Sequence, residues 1–273
     1  MASGAQTKPV FKWPGGKFKL AGAIAAELSA GRRLVEPFAG SGAVFLNADY
    51  PSYLLCDANG DLISFYRELT ADADGFIEEC RLLFADGNDK AVYYQRRDYF
   101  NALPGGREKA ALFLYLNRFG YNGLVRYNAG GGFNVPFGKY KRPYFPETEM
   151  RAFAEKALRR KTEFRAADFR ATMASLKKGD VVYCDPPYFP LSATANFTAY
   201  SGAVFGVAEQ CELAELVSAA AAKGISCVVS NHDIPAVRAL YSAAKKLIPL
   251  QVRRSISCNP SDRSIAPELL IVF

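Results

Sequence analysis

The feature that most restricts the fold of this chain is an apolar run, Val181-Val182-Tyr183-Cys184, that stops at Asp185-Pro186-Pro187-Tyr188. Four consecutive apolar residues bounded by turn residues are typical of a strand buried on both faces of a parallel sheet. The two prolines end the strand because each lacks a backbone N–H and restricts φ. The sequence therefore predicts a central strand whose carboxyl end carries an acid, a stiff turn and an aromatic ring.

The side chains at this strand end suit a flat ring that carries an exocyclic amine, such as a nucleobase. Asp185 and the Pro186 carbonyl would accept hydrogen bonds from the amine, and Tyr188 would stack on the ring. The amine nitrogen would then point its lone pair at an electrophile. The motif alone leaves DNA, RNA and protein-amide substrates open, and a pair of prolines can also do no more than end a strand.

Strand-like and helical segments alternate at both ends of the chain, which indicates a parallel α/β fold. The predicted strands are 34–36, 53–56, 181–184 and 225–230, and the predicted helices are 17–29, 43–48 and 208–223. Gly31 and Gly224 are expected to end the helices that precede them. Two further strand-like runs, 246–255 and 268–273, predict an antiparallel edge joined by a turn at 259–262.

The middle of the chain differs from its ends. Residues 62–118 show helical periodicity and many aromatic residues, whereas residues 119–145 carry closely spaced Gly and Asn among Tyr and Phe. A glycine-rich loop or hairpin fits the second segment better than a helix. We therefore expect a catalytic domain of residues 1–60 and 146–273, interrupted by an inserted domain at 61–145 with a basic hairpin at about 119–142.

The charge of the chain favours an anionic partner. The chain carries 34 Lys and Arg against 27 Asp and Glu, a net charge of +7, and residues 118–145 contain basic residues but no acid. A basic surface can also serve solubility alone. The six cysteines are scattered, which predicts reduced core residues of a cytosolic protein. Without an apolar leader or a run of about 18 apolar residues, we expect a soluble, intracellular protein that does not enter membranes.

A glycine-containing turn, Glu36-Pro37-Phe38-Ala39-Gly40-Ser41-Gly42, follows the first predicted strand. Gly40 and Gly42 allow the backbone to approach a ligand at a helix N-terminus. Phe45 stands where a dinucleotide fingerprint needs a third glycine, which disfavours NAD. Asp57 ends the next strand, where an acid can bind ribose hydroxyls. Each feature alone fits an ordinary turn or cap, but together with the Asp-Pro-Pro-Tyr run they point to S-adenosylmethionine.

Two other segments are candidates for binding. Trp13 and Lys17 flank a tight turn, where Trp13 would cover a cofactor and Lys17 would meet its carboxylate; a surface turn anchored by one aromatic is the alternative. Residues 114–138 are rich in Arg and Asn, which read guanine and adenine edges, and in Tyr and Leu, which wedge between base steps. A solvated hairpin with structural aromatics fits the same composition. With His232 as the single histidine, a His-containing metal cluster is excluded, and no metal is expected.

The chain resembles DNA adenine-N6 methyltransferases of the Dam type, the D12 class with alpha-group motif order. The matching segments occur in the family's order at 13–17, 35–47, 57–64, 112–138, 182–200, 230–233 and 253–259. The resemblance implies a seven-stranded, Rossmann-like methyltransferase sheet with an inserted DNA-recognition domain. It also implies S-adenosylmethionine as methyl donor and the adenine of duplex GATC as a target that is flipped into the pocket.

The resemblance also implies residue roles. The catalytic residues would be Asp185, Pro186, Pro187 and Tyr188. Cofactor contacts would be Trp13, Lys17, Asp57, Asp168, Phe169 and Asp185, to which we add Phe38, Gly40 and Gly42 from the glycine turn. DNA contacts would be Lys12, Tyr121, Asn122, Leu124, Arg126 and Pro136, to which we add Asn128, Lys139 and Lys141. Relatives can carry Arg at position 139, so Lys139 would lose a bidentate phosphate contact.

Two alternative functions stay open at this point. Methylation of RNA adenine or of a protein amide is disfavoured by the basic hairpin with Arg126, because A-form RNA hides its major groove. A catalytically silent DNA-binding repressor is disfavoured by the intact run from Asp185 to Tyr188. We expect a monomer in the cytoplasm of a bacterium or a phage-infected host. Roles in mismatch repair, replication timing, phage defence and restriction protection all fit.

Overall fold

The centre of the fold is a seven-stranded sheet in the computed structural model, which describes residues 6–189, 205–253 and 265–273. In chain order the strands are β1 (Arg33–Glu36), β2 (Ser52–Asp57), β3 (Thr162–Ala166), β4 (Asp180–Cys184), β5 (Ser226–His232), β6 (Lys246–Arg253) and β7 (Ile265–Val272). Their order across the sheet is β3-β2-β1-β4-β5-β7-β6. Strands β1 to β5 are parallel, and β7 runs antiparallel to both β5 and β6. The predicted sheet and its antiparallel end are therefore confirmed, while the predicted turn at 259–262 lies outside the described residues.

Helices cover both faces of this sheet. They are α1 (Ala21–Glu27), α2 (Ala43–Asn47), α3 (Gly60–Ala71), α4 (Ala73–Ala85), α5 (Lys90–Ala102), α6 (Arg107–Phe119), α7 (Glu147–Arg159), α8 (Phe169–Ala174), α9 (Val207–Ala222) and α10 (Pro235–Leu240). Successive strand residues point to opposite faces. Val181 and Tyr183 of β4 pack into the core under α1 to α7, whereas Val182 and Cys184 pack into the core with α8 to α10. Burial on both faces explains why β4 reads as a continuous apolar run.

Helices α3 to α6, which lie between β2 and β3 in the chain, share their core with the sheet. The ring of Phe11 lies 4.7 Å from that of Phe65 on α3 and 5.3 Å from that of Phe113 on α6. Tyr66 of α3 stacks at 4.3 Å on Phe153 of α7. These residues belong to one continuous apolar cluster with the buried residues on one face of β1 and β2, Leu34, Tyr53 and Leu55. The domain boundaries at 60 and 146 therefore stay a prediction.

The two glycines expected to end helices have different roles. Gly224 has φ of 76°, and the N–H groups of Gly224 and Ile225 donate to carbonyls in the last turn of α9 at 2.9 and 3.1 Å. This is a Schellman ending, as predicted. The prediction for Gly31 is wrong, because α1 already ends at Glu27. Gly31 is instead required by close packing, since a Cβ there would lie 2.5 Å from Val181 Cγ2.

Strand β3, the cysteines and the lengths of the helices also bear on the predictions from sequence. Strand β3 was not predicted, because its charged, largely uncovered residues at the sheet edge show no apolar run. Among the described cysteines the prediction of core burial is confirmed for Cys56, Cys80, Cys184 and Cys227 but wrong for Cys211, which is exposed on α9. In the described parts of the chain no helix is both long and apolar enough to cross a bilayer.

Candidate active site

The candidate site lies at the carboxyl edge of the sheet, where β1 and β4 are neighbours. The strand order reverses between these two strands, because the chain runs outward from β1 to β3 and outward again from β4 to β5. In open α/β sheets, ligands bind in the crevice outside the carboxyl ends at this reversal. The glycine turn follows β1, and Asp185 follows β4 directly. The fold therefore brings together the two motifs that the sequence analysis singled out.

The glycine turn approaches Trp13 so closely that only glycine fits. Gly40 has φ of 47° and Gly42 has φ of 69°, both in the left-handed region. A Cβ on Gly40 would lie 3.0 Å from Trp13 Nε1. Gly42 caps the N-terminus of α2, whose other end is held by Lys156, which donates to the carbonyls of Leu46 and Ala48. The predicted cofactor residues Trp13, Gly40 and Gly42 are thus brought to one place.

Asp57 fixes this turn from the end of β2. Its two carboxylate oxygens each accept a backbone N–H at 2.9 Å, Oδ2 from Gly40 and Oδ1 from Asn59. Burial raises the pKa of Asp57, and the two N–H groups oppose this shift by stabilising the charged form. Each carboxylate oxygen retains a second lone pair. Asp57 can therefore hold the glycine turn and still accept a hydrogen bond from a ligand hydroxyl.

An aromatic cluster lies beside this strand edge. The rings of Phe38 and Phe169 stack with centroids 5.5 Å apart, and Phe205 meets both rings at 5.6 Å. Phe205 was missed because it stands alone ahead of α9, without a motif. Asp168 lies next to this cluster in the chain, but its exposed carboxylate caps α8 and pairs with Arg170 at 3.2 Å. Phe38 and Phe169 therefore pack against each other, whereas Asp168 caps the N-terminus of α8.

Asp185 is paired with Lys17. The Lys17 ammonium lies 2.9 Å from Asp185 Oδ1 and donates to the Gly15 carbonyl at 2.6 Å. Only 5% of the Lys17 side chain and 21% of the Asp185 side chain are exposed. Burial raises the pKa of Asp185 to about 6, and the Lys17 charge opposes the shift. Asp185 is therefore mainly ionised at neutral pH. The sequence analysis placed Lys17 at the site but did not pair it with the catalytic acid.

Glu36, at the end of β1, adds a second acid near Asp185. Burial, and then the charge of Asp185, raises the pKa of Glu36 to about 8. Glu36 is therefore mainly protonated at neutral pH, and the neighbouring negative charge that raises the pKa of Asp185 is that of Glu268 on β7. The sequence analysis gave Glu36 no role of its own, because an acid in a strand has no local signal that reports its burial.

Tyr188 is contacted on several sides. Its hydroxyl donates to Glu268 Oε2 at 2.8 Å, and its ring meets the His232 ring at 4.7 Å with an interplanar angle of 76°. The Lys17 ammonium lies over the Tyr188 ring, 4.7 Å from its centroid. Glu268 of β7 pairs with His232 of β5 in the sheet register. Glu268 was missed by the sequence analysis, because only the antiparallel pairing of two distant strands brings it to the pocket.

A buried pair of amides holds the Asp185–Tyr188 turn from behind. Gln210 Nε2 donates to the Pro187 carbonyl at 2.6 Å, and Gln210 Oε1 accepts from Asn231 Nδ2 at 3.0 Å. Asn231 Oδ1 in turn accepts the Phe189 N–H at 3.0 Å. Both amide side chains are completely buried. A satisfied buried network of this kind fixes the geometry of the backbone that it contacts. Gln210 was missed, because one polar residue on a helix does not reveal its partner.

The predicted basic hairpin is a loop with few backbone pairings. Isolated bridges join Gly120 with Phe137 and Tyr127 with Phe133. Its inner residues are buried, whereas the predicted DNA-contacting residues are mostly exposed: Tyr121, Arg126, Asn128, Pro136, Lys139 and Lys141. Asn122, Leu124 and Lys12 are partly covered. The Arg126 guanidinium donates to Asn134 Oδ1 at 2.7 Å and to the Asn134 carbonyl at 3.1 Å. The structure thus places the predicted DNA residues on one loop and on the adjoining N-terminal segment.

The N-terminal segment and the loop meet through Lys12. Its ammonium lies 4.0 Å from the centroid of the Tyr140 ring. Its backbone exchanges two hydrogen bonds with the Asn117 side chain, at 3.1 and 2.8 Å. Burial and the nearby charge of Arg118 lower the pKa of Lys12. Lys12 is thus a partly covered cation with a second cation, Arg118, near it, which favours the approach of an anion.

Comparison with known proteins defines the class to which this fold and site belong. The chain belongs to the family of D12 class N6 adenine-specific DNA methyltransferases, whose sequence model matches residues 13–256. The predicted activity, adenine-specific methylation of DNA, is thereby confirmed. Membership implies S-adenosylmethionine as the methyl donor and DNA as the substrate.

The chain is also similar to individual bacterial proteins over almost its whole length. It is 48% identical to a DNA adenine methylase of Salmonella typhi, over 98% of this chain and 96% of that protein. It is 47% identical to a DNA adenine methylase of Escherichia coli strain K12, with the same coverage. A DNA adenine methylase of Haemophilus influenzae is 46% identical, over 97% of this chain and 93% of that protein.

Proposed function

We propose that this methyltransferase acts on the adenine of duplex GATC, and that the adenine leaves the helix to enter the pocket formed by Asp185 to Tyr188. The observation that carries the proposal is the Lys17–Asp185 pair, 2.9 Å apart at the carboxyl end of β4, at the reversal point of the sheet where the glycine turn follows the neighbouring strand β1. The names of its relatives, DNA adenine methylases, support the choice of substrate.

The residues around the glycine turn fit S-adenosylmethionine. Gly40 leaves no room for a side chain of its own against Trp13, so a ligand there would meet backbone and the indole ring. Asp57 would accept from ribose hydroxyls, and Phe38, backed by the buried Phe169, would pack against the adenine ring of the cofactor. When bound, S-adenosylmethionine supplies an electrophilic methyl group. Trp13, Gly40, Asp57, Phe38 and Phe169 are therefore the proposed cofactor pocket.

Asp185 would act on the target amine. Lys17 contacts Oδ1 of this carboxylate, and among the described residues no donor occupies Oδ2. An N6 amine that donates to Oδ2 and to the Pro186 carbonyl would be held with its lone pair directed out of the ring. The positive charge that grows on N6 during transfer would be stabilised by the carboxylate. Lys17 would hold Asp185 ionised, so that the acceptor exists before the substrate arrives.

The Gln210 and Asn231 amides would keep this acceptor geometry constant. Gln210 binds the Pro187 carbonyl, and Asn231 binds the Phe189 N–H, so the turn is fixed on the side away from the proposed substrate. Tyr188 would stack on the extrahelical adenine. In a preorganised site of this kind, no rearrangement of the turn is needed when charge develops.

The basic loop would supply the sequence reading. Arg126 is exposed and already held in one orientation by Asn134, and its guanidinium can bind O6 and N7 of guanine. Tyr121 and Leu124 would fill the space that the adenine vacates, and Lys139 and Lys141 would bind phosphates. We further infer a soluble monomer in a bacterial cytoplasm.

Digestion of methylated plasmid DNA would test the proposal. Unmethylated plasmid would be treated with the protein and S-adenosylmethionine and then cut by two GATC nucleases, one blocked by adenine methylation and one that requires it. We expect resistance to the first nuclease and cleavage by the second, and neither effect with Asp185→Ala. Methyl incorporation into plasmid without a change at GATC would overturn the target sequence. Incorporation only into RNA would overturn the substrate.

A further inference from the structure

We propose that Glu268 is a positioning residue that orients the Tyr188 ring for stacking on the target adenine. This inference rests on the proposed function of the Asp185–Tyr188 pocket. Glu268 lies on β7, about 80 residues beyond Tyr188 in the chain, yet its Oε2 accepts the Tyr188 hydroxyl at 2.8 Å. A carboxylate acceptor makes this hydrogen bond stronger than one between neutral groups.

The other contacts of Tyr188 show why its hydrogen bond to Glu268 is needed to hold the ring. A tyrosine side chain anchored only at its Cβ can rotate about two bonds, and its ring plane is set by what touches the ring and the hydroxyl. His232 meets the ring with an interplanar angle of 76°, and the Lys17 ammonium lies over it. Neither contact holds the far end of the ring. The Glu268 carboxylate binds the hydroxyl at that far end, so it restrains rotation about Cα–Cβ, and because a phenol O–H prefers to lie in the ring plane it also favours one orientation of the ring.

The sheet holds Glu268 in place. Glu268 pairs with His232 in the antiparallel register of β5 and β7 and with Leu250 in the register of β6 and β7. The backbone that carries the carboxylate is therefore built into the sheet between two strands. His232 follows Asn231, which binds the N–H of Phe189 next to Tyr188. The acceptor of the hydroxyl and the anchor of the adjacent backbone thus belong to the same pair of strands.

A stacking ring held in the productive plane acts on the geometry of the bound adenine, not on the capture of DNA. Loss of the Tyr188–Glu268 hydrogen bond should therefore lower kcat and leave KM for DNA almost unchanged. Hydrogen bonds to charged groups are strong enough that losing this one should lower kcat by roughly tenfold or more. Glu268→Gln should keep most of the wild-type kcat, because the amide oxygen also accepts a hydrogen bond.

The experiment compares Glu268→Ala, Glu268→Gln, Tyr188→Phe and the double variant Tyr188→Phe/Glu268→Ala in steady-state methylation of GATC duplexes. Glu268→Ala and Tyr188→Phe should lower kcat by similar factors, and the double variant should be no slower than either one. The matched control is Glu108→Ala, which removes another tyrosine–glutamate hydrogen bond, from Tyr99 at 2.9 Å on the inserted helices. It should leave kcat and KM at wild-type values.

Each outcome decides one point. Additive losses in the double variant would show that Glu268 acts other than through Tyr188 and would overturn the inference. Wild-type kcat in both Glu268→Ala and Tyr188→Phe would also overturn it. If Glu268→Ala fails to fold, Tyr188→Phe removes the same hydrogen bond and still tests the inference. Tyr188→Ala distinguishes failure of this inference from failure of the proposed pocket. Wild-type kcat in that variant would overturn the proposed pocket itself.

Discussion

The pocket turn, residues 185–189, and the basic loop, residues 119–142, are both irregular segments, but they are held in opposite ways. The polar groups of the pocket turn are bound by partners from α9, β5 and β7, namely the buried Gln210 and Asn231 and the half-buried Glu268. The basic loop has two isolated bridges, and most of its predicted DNA-binding side chains are exposed. The segment proposed to stabilise developing charge is thus fixed in advance, whereas the segment proposed to read DNA keeps its side chains accessible.

Two contacts, one in each region, show this contrast. Lys17 and Asp185 are both covered by protein, so breaking their pair would leave a charge with little access to water. Arg126 and Asn134 pair at the surface, where water can replace either partner. The Arg126 contact can therefore be exchanged for a base edge at small cost, and the Lys17 contact cannot be exchanged so cheaply.

The strongest test of this contrast is Asp185→Ala, which removes the preorganised acceptor. We expect the methyl-transfer barrier to rise by about 3 kcal/mol or more, a loss of at least roughly a hundredfold in rate. Binding of GATC duplexes should change far less, because the basic loop is untouched. Single-turnover transfer of a labelled methyl group and duplex binding would be measured on the same variant. Retention of a tenth of wild-type turnover would contradict the role of Asp185.

Arg126→Ala would test the loop in the same way. We expect a loss of about 1–3 kcal/mol in binding that is confined to duplexes with the cognate guanine, so discrimination at one base pair flattens. The fold should not change, because the Arg126 side chain is exposed and its guanidinium bonds within the described chain only to Asn134. Binding to GATC and to each single-base variant would be measured. An equal loss on every duplex would mean that Arg126 contacts phosphate.

The pH dependence should also distinguish the two regions. Burial raises the pKa of Asp185 to about 6, so this carboxylate takes up a proton at a higher pH than an ordinary aspartate does. Since only the ionised form accepts the amine in this way, the transfer rate should fall as the pH drops through 6, approaching tenfold for each pH unit below it. DNA binding by the basic loop should show no such fall. A transfer rate that stays constant down to pH 5 would refute this role.

The smallest effects are expected for Lys139→Ala and Lys141→Ala. Both side chains are exposed at the end of the loop, and each should contribute about 1 kcal/mol or less. The loss should be equal for all duplexes and should reduce the slope of log affinity against log salt by about one for each phosphate contact. Titrations over a range of salt would measure it. A change in sequence preference would exchange the roles assigned to these lysines and to Arg126.

Much of the sheet and the main motifs of the site could be predicted from local sequence. The run from Val181 to Tyr188 predicts a buried strand followed by a stiff pocket, because burial on both faces leaves a continuous apolar pattern. Gly40 and Gly42 were identified because a turn that needs left-handed backbone favours glycine. These patterns depend on residues that are adjacent in the chain, and the structure places the strand and the turn where the sequence predicts them.

The parts that could not be predicted depend on non-local contacts. Glu268 and Gln210 each look like an ordinary polar residue until β7 and α9 are placed against the pocket turn. Strand β3 has charged residues and an exposed edge, so no burial pattern marks it. The pairing of Lys17 with Asp185 joins segments that are far apart in sequence. Sequence patterns report what is buried, and they do not report which polar groups meet.

The close packing of Gly31 against Val181 bears on how inactive variants would be interpreted. Val181 lies near the amino end of β4, and Asp185 follows the carboxyl end of the same strand. A side chain at position 31 would press on the strand that carries the catalytic acid, although it would lie at the opposite edge of the sheet from the pocket. A genetic screen for loss of methylation would therefore recover Gly31 together with Asp185. Methyl transfer measured on the folded protein would separate them, since a Gly31 variant that still folds keeps the Asp185 carboxylate and an Asp185 variant does not.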